Sequence, residues 1–525
     1  MPRDATASTA MLPISFDILF ILSIVASIVV IFARRRRYHL PPGPMGLPFI
    51  GNAHQLQKSH EWMQYRQWSR EHRSDIISLN ILGQRVVVLN SARAVNDLLE
   101  KRSNLYSDKE YRYIFQELVG WKRALTFLAY DNTWRDHRRL FHQYFNSNAV
   151  KDYRDILITQ NKRLLVTLSD NCDNVMGKLR LATGSMILRI AFGLDVRSAN
   201  DPYIEIADKA LQSIAKYGNT GSSLAEYIPL AIIRYIPSWM PGGGFKRDVA
   251  YWKPFVVEMY ERPFKHMQKA IAEGTAIPCI LNTILTKRED NKSTSWKDEV
   301  IKGVVGTAFV GGSDTTVSSL GTFVLAMMLS PEIQRKAQKQ LDDVIGQDRL
   351  PNFDDEPNLP FITAIVKEVI RWRPVTPRAT PHFIKTDDKY MGYDIPGGTV
   401  VLGNSWAVLF DEETYPNPEV FDPTRYLTQD GKLDKNAPDP YEVAFGFGRR
   451  ICPGRHLALE NVWINVACLL ATMKIEKPKD EHGNVIEPSG EYTTGLLSYP
   501  APFEASISPR TANAESMIRG LALEE

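Results

Sequence analysis

From Met11 to Ala33 apolar residues run almost unbroken, interrupted only by Asp17 and a few hydroxyls. A helix of about 20 residues crosses a bilayer core, so this run has the length of a membrane span. Arg34–Arg37 follow at once. Cationic residues stay on the cytoplasmic side, so everything after them is expected in the cytoplasm. A cleaved leader would carry its charge before the apolar stretch, not after it. From Leu40 to Asn52, four prolines and three glycines exclude a helix and predict a stiff, extended connector.

Beyond the connector the pattern changes. Over 75–91, two β-branched runs flank Gly83–Gln84 and predict a hairpin, and a second group of strands is expected over 390–406. Most of the remainder has helical spacing. No internal repeat or low-complexity linker divides it. The reading is an anchor at 1–33, a basic stop-transfer and proline-rich hinge at 34–52, and one domain at 53–525. Its fold class is mainly α with small β-sheets (α+β). The segment 224–244 is apolar and aromatic but broken by prolines. It fits either a buried loop or one lying against a membrane.

One helix is expected to pass through the middle of the domain. Ser295-Trp-Lys-Asp298 has the pattern of a capping box and Pro331 ends the segment, giving a helix of about 50 Å. Its centre reads AFVGGSDTT, Ala308–Thr316. Paired glycines and threonine hydroxyls predict a local opening of the helix there; a tight helix crossing is the alternative. A further helix should start near Pro360 and stop before Pro374, with Glu368 and Arg371 on one face.

Composition narrows the function. The 525 residues are 44% hydrophobic with a formal net charge of +3, so no broad basic surface points to nucleic acid. The four cysteines, at 172, 279, 452 and 468, form no CxxC pair, which argues against zinc and against a disulfide framework. Cys452 has a special setting: FGFGRRICPGRHLA, Phe445–Ala458. An apolar helical pattern follows it, with Pro453 fitting the first turn, so the cysteine is expected at a helix N-terminus that favours a thiolate. Gly446, Gly448 and Gly454 allow backbone N–H groups near the sulfur, and Arg449 and Arg450 add positive charge. Such a thiolate could be a nucleophile or a metal ligand. A ligand for haem iron suits the arginines better, because haem carries two propionates.

That stretch resembles the haem-binding loop of the cytochrome P-450 monooxygenases, matching at Phe445, Gly448, Arg450, Cys452 and Gly454. Other elements agree in order. Trp134-Arg-Asp-His-Arg138 resembles the WxxxR helix and VGGSDTT the oxygen-activating motif, at Gly312, Asp314 and Thr315. Glu368–Arg371 resembles ExxR, and Pro423-Thr-Arg425-Tyr426 the element that follows it. The resemblance covers about residues 40–510. The connector and anchor are similar to those of endoplasmic-reticulum members.

The resemblance implies the P-450 fold, a haem b whose iron takes the Cys452 thiolate, and insertion of one oxygen atom from O2 into a lipophilic molecule. Asp314 and Thr315 would be catalytic, supplying protons. Phe445 would shield the sulfur. Arg138, Arg450, Trp134 and His382 would contact propionates. Glu368, Arg371 and Arg425 would form a structural triad. Phe309, Val375, Arg378, Leu496 and Leu497 would line the substrate pocket with the 104–130 region, and Arg378 could instead reach a propionate. With no flavin or nicotinamide motif in the chain, the resemblance implies electrons from an NADPH–cytochrome reductase docking near Arg135, Arg139 and Arg455. The chain looks like enzymes of fungal secondary metabolism, which suggests a terpenoid, or else an aromatic, indole-like substrate. A haem protein without turnover is a further alternative, and the intact Asp314–Thr315 pair argues against it. The chain departs from the family at Val408-Leu409-Phe410, where a histidine or polar residue is usual. The sequon Asn291-Lys-Ser293 should stay unglycosylated on the cytoplasmic side.

Overall fold

The computed structural model describes residues 38–218 apart from 58 and 172, then 235–240, 243–290 and 296–523. The apolar run at 11–33, Arg34–Arg37, Cys172, the sequon and most of 224–244 lie outside the described residues.

The longer helices, in chain order, are α1 (Glu61–Glu71), α2 (Asn132–Phe145), α3 (Arg154–Asp170), α4 (Val175–Phe192), α5 (Pro202–Tyr217), α6 (Phe245–Ala272), α7 (Ile280–Asp290), α8 (Asp298–Leu329), α9 (Pro331–Val344), α10 (Pro360–Trp372), α11 (Arg455–Thr472) and α12 (Ala512–Leu523). The strands are β1 (Ile76–Ile81), β2 (Gln84–Leu89), β3 (His382–Ile384), β4 (Asp388–Tyr390), β5 (Tyr393–Ile395), β6 (Thr399–Gly403), β7 (Met473–Glu476) and β8 (Ser506–Pro509). The mainly helical expectation therefore holds.

The hairpin forms, but its turn is Leu82–Gly83, one residue earlier than the pattern suggested. Both residues have positive φ, 51° and 91°, as a tight turn matched to strand twist requires. β1–β2 extends through β6 to β3, with β2 and β6 parallel and β3 and β6 antiparallel. β2 and β6 are valine-rich because the sheet is covered on both faces there. β4–β5 and β7–β8 are separate pairs. The proline-rich connector does not stand free of this sheet. Ser78 donates its backbone N–H to Pro42 O at 2.9 Å, and Asn52 N donates to Asn80 O at 2.6 Å.

α8 spans 32 residues and runs through the core with almost every side chain buried. Two expectations about it fail. No capping box opens it: Lys297 is the N-cap without a side-chain bond, and Ser295 is outside the described residues. Asp298 and Glu299 in the first turn complement the positive end of the helix dipole instead. Nor is the helix broken over Ala308–Thr316. Thr315 Oγ1 donates to Gly311 O at 2.5 Å, and Thr183 of α4 donates to Ser313 O at 2.8 Å. The small residues serve contact. A Cβ at Gly306 would lie 2.2 Å from the Tyr260 ring of α6, and one at Gly312 would lie 3.0 Å from Ile187 of α4. Gly311 meets nothing within 4 Å and lines the cavity described below. α10 starts and ends where its prolines predict.

Candidate active site

The loop that carries Cys452 is held by its backbone. Gly448 has φ +54°, and a Cβ there would lie 2.2 Å from the carbonyl oxygen of Leu99. Its N–H donates to Glu100 Oε2 at 2.6 Å. Cys452 N closes the loop on Phe445 O at 2.8 Å. α11 begins only at Arg455, with Gly454 as N-cap, so Pro453 precedes the helix and does not form its first turn. The N–H groups of Gly454 and Arg455 still point at the sulfur. Burial pushes the Cys452 thiol up, while those N–H groups and the charges of Arg138 and Arg455 pull it down. Cys468 is also buried but meets no cation, and burial, with the negative charge of Asp355, drives its thiol far up.

Cys452 lies in the wall of a cavity of about 290 Å³. Three cations share that wall. Arg138 of α2 donates to Ile451 O at 2.7 Å. Arg450 donates to Ser107 O at 2.6 Å and Leu128 O at 2.8 Å, and its guanidinium stands 4.6 Å from the Trp134 ring. Lys109 donates to Pro381 O at 2.6 Å and to both oxygens of Thr380. Burial lowers all three, Arg450 to about 10 and Lys109 well below the ordinary lysine range. None of them forms an ion pair with a carboxylate among the described residues. Cations withdrawn from water with only neutral partners are costly unless an anion joins them. A haem with two propionates and an iron facing a sulfur fits this set. Cys452 would ligate the iron, and Arg138, Arg450 and Lys109 would hold the carboxylates.

Behind the loop, Glu368 and Arg371 are wholly buried and joined by two bonds, 2.8 and 2.9 Å. Glu368 also accepts from Arg425 at 3.2 Å, Tyr426 OH at 3.2 Å and Asp422 N at 2.9 Å. Arg371 spends its remaining donors on Leu409 O and Pro418 O. The expected triad is thus present and saturated, as a buried charge cluster must be. The departure at Val408–Phe410 acquires a role here. Leu409 supplies a carbonyl to Arg371, and the Phe410 ring lies 5.4 Å from its guanidinium.

Beyond the Cys452 loop and its cations, the wall includes Thr315, Gly311, Val375, Leu496 and Leu497. Asp314 does not line the cavity. It is buried one position round the helix, accepts from Tyr499 OH, and has Arg180 Nη2 at 3.6 Å. Burial raises its carboxyl above the ordinary range despite those partners.

Three expected positions lie elsewhere. Phe309 is off the cavity stripe of α8 and meets Phe192 edge-on, centroids 6.1 Å apart. Arg378 turns away because the chain reverses at Ala379, φ +49°, and it pairs with Glu61 of α1 at 2.9 Å. It is not among the residues that line the cavity. His382 is buried off the cavity wall, with Nδ1 2.8 Å from Tyr106 O. Burial and the charges of Lys109 and Arg450 hold it neutral. It pegs β3 to the 103–106 turn. Conversely, Lys109, Tyr499 and Arg180 escaped sequence reasoning. Lys109 stands among many other charged and polar residues in the run 101–112, KRSNLYSDKEYR, so nothing local marked it, nor the other two.

The family model for cytochrome P-450 matches residues 41–505. The chain is 42% identical over 495 residues to cytochrome P-450 monooxygenase 98 of Postia placenta, covering 94% of this chain and 95% of that one. It is 40% identical to cytochrome P-450 monooxygenase ple1 of Rhodocybe pseudopiperita, covering 93% of each. It is 39% identical to tryptamine 4-monooxygenase of Psilocybe cyanescens, covering 93% of this chain and 96% of the relative. With the sulfur, the cations and the buried charge cluster in place, these matches make the chain a haem-thiolate monooxygenase of the cytochrome P-450 family.

Proposed function

We propose that this monooxygenase oxidises a neutral, lipophilic small molecule of terpenoid type, in fungal secondary metabolism. The observation that carries this is the charge of the cavity. Among its described lining residues there are three cations, no aspartate and no glutamate. Once the cations hold propionates, the remaining wall is mainly apolar, its polar side chains being hydroxyls: Thr126, Thr307, Thr315, Thr316, Ser319, Thr376 and Thr380. It suits a hydrocarbon skeleton with an occasional oxygen. A protonated indolethylamine would find no carboxylate, which separates this chain's reading from the substrate named for its Psilocybe relative.

Bound haem supplies the activation of O2. The residues do the rest. Cys452 would ligate the iron and donate electron density to it, with Phe445 beside the sulfur in the cavity wall. Arg138, Arg450 and Lys109 fix the carboxylates by charge-assisted bonds. Val375, Leu496 and Leu497 exclude water and orient the substrate. Gly311 leaves open space in the cavity, and Thr315 presents a hydroxyl to the same space. Asp314, whose carboxyl burial raises above the ordinary range, lies one helix position from that hydroxyl and would relay protons to it.

Electrons would come from NADPH through a membrane-bound reductase. Arg135 and Arg139 are exposed on α2, which carries Arg138 on its cavity side, and so offer that partner a basic face. The endoplasmic-reticulum membrane is the proposed location, with the catalytic domain in the cytoplasm. This is supported by the apolar run before Arg34 and by an exposed apolar tip. Met45 is 90% exposed and Phe49 73%. Trp239, from the apolar 224–244 segment, is 77% exposed. Apolar side chains so placed suit a lipid surface.

Co-expression with a reductase, followed by product analysis on neutral sesquiterpenes and on tryptamine, tests the reading. Oxygenated terpenoid with unchanged tryptamine is expected; the reverse would overturn it.

A further inference from the structure

The segment Leu496–Tyr499 has two sides. Leu496 and Leu497 face the cavity. Ser498 and Tyr499 are tied to α8: Ser318 Oγ donates to Ser498 O at 2.6 Å, and Tyr499 OH donates to Asp314 Oδ2. Asp314 and Ser318 are four residues apart, so both ties meet one face of the helix. The strip is also pinned to the cavity's other wall, because Ser498 N donates to Val375 O at 2.9 Å. On the far side of Asp314, Arg180 Nη2 is 3.6 Å from Oδ1. Arg180 Nε is 3.8 Å from Asp208, and both of these side chains are about two-fifths exposed, 38% and 43%. The acid therefore has a solvent-side mouth, framed by Arg180 and Asp208, and a latch made by a residue two positions from the cavity wall.

We propose that Tyr499 is a positioning residue that latches Asp314 toward the Arg180–Asp208 mouth, and that a molecule filling the cavity moves the latch through Leu496 and Leu497. Proton supply then follows occupancy. With the cavity empty, Asp314 stays turned from Thr315, and reducing equivalents are not wasted. With it filled, the strip shifts and the Tyr499 bond loosens. The carboxyl can then swing toward Thr315, give its proton to the cavity side, and regain one from solvent at the mouth. Only a proton is transferred; no bond other than O–H forms or breaks at these residues. Ser318 matters because it anchors the strip to the helix that carries the acid, so movement of the leucines is read relative to Asp314.

The inference rests on the assignment of Asp314 and Thr315 as the proton-supplying pair, and the test separates the two. The haem-loaded ferric protein is examined by infrared difference spectroscopy, with the Asp314 carboxyl band assigned by its loss in Asp314→Asn. 4-Phenylimidazole serves as the cavity-filling probe. In the wild type the probe should shift that band. In Tyr499→Phe the band should already be shifted and should respond little to the probe. Ser318→Ala should blunt the response without moving the resting band. With reductase and no substrate, NADPH consumption by Tyr499→Phe should rise severalfold, while haem content and probe affinity stay unchanged. An identical band and an identical leak in Tyr499→Phe and wild type would overturn the latch. If Thr315→Ala alters the leak and Tyr499→Phe does not, the latch alone falls. If neither Thr315→Ala nor Asp314→Asn alters it, the pair itself is misassigned and the latch falls with it.

Discussion

The two walls of the cavity are built on different principles. The sulfur-side wall is fixed by backbone conformation and buried charge. Gly448 sits where a side chain would strike the Leu99 carbonyl, and Glu368 is saturated by partners on two segments, α10 and 422–426. The rest of the wall is assembled from side chains on α8, the 375–380 turn and the 496–497 strip. It has room to vary, and its acid is held by a tyrosine and a partly exposed arginine. A rigid wall can hold a cofactor in one pose while a compliant one adapts to a substrate. Damage to the first should cost folding and haem; damage to the second should redirect turnover.

The sharpest test of that division is Cys452→Ser, which should abolish turnover and the red-shifted Soret band of the reduced carbon monoxide complex. Cys279→Ser and Cys468→Ser should keep both. A normal spectrum in Cys452→Ser would end the assignment. Glu368→Gln should come next. It leaves two guanidiniums without their shared carboxylate and should cost about 3–5 kcal/mol, read from the urea midpoint; a shift under about 1 kcal/mol would show that the cluster does not act as a unit. Smaller again, Arg138→Gln and Lys109→Gln should each weaken haem retention by about 1.5–3 kcal/mol, the worth of a hydrogen bond to a charged group. Transfer of haem to apomyoglobin measures this, and unchanged transfer in Lys109→Gln would remove that residue from the cradle.

The smallest effect belongs to the compliant wall. Asp314 has a carboxyl raised by burial, so between the ordinary aspartate range and its raised value the native state binds more protons than the unfolded one. Stability should then fall as pH rises through that window. The charged groups facing Asp314 there are Arg180 and Asp208, with Tyr499 un-ionised. Subtracting the pH profile of Asp314→Asn from that of the wild type should leave this downward slope; a flat difference would mean that the carboxyl titrates normally.

The sulfur-side wall was the more legible in the sequence for a physical reason. Its glycines, cysteine and arginines act through neighbouring backbone, so they fall within short windows. ExxR is legible because a helix brings residues three apart together. The substrate wall gathers one or two residues from each of several distant segments, and nothing local distinguishes Leu496 from any other leucine. Arg378 and His382 mislead because a positive φ at Ala379 and the pairing of β3 with β6 decide their direction, and neither is written at the residue itself. Phe309 misleads by one helix position. Lys109 was missed because its partners, the Thr380 and Pro381 carbonyls, are supplied by chain some 270 residues away.

The connector lies along β1, bonded at Pro42 and at Asn52, with Gly43 and Gly51 pressed so close that a Cβ on either would lie 2.1 Å from a strand carbonyl. Mechanically, that makes it a splint. A force applied to the chain before Tyr38 does not merely straighten a tether; it loads the edge of the sheet in shear, across bonds that must give way together. Through β2 and β6 the load reaches the strand next to β3 and the turn that carries Val375. In a force-extension experiment pulling from the N-terminus, the first rupture should therefore be abrupt, marking the loss of the connector from β1.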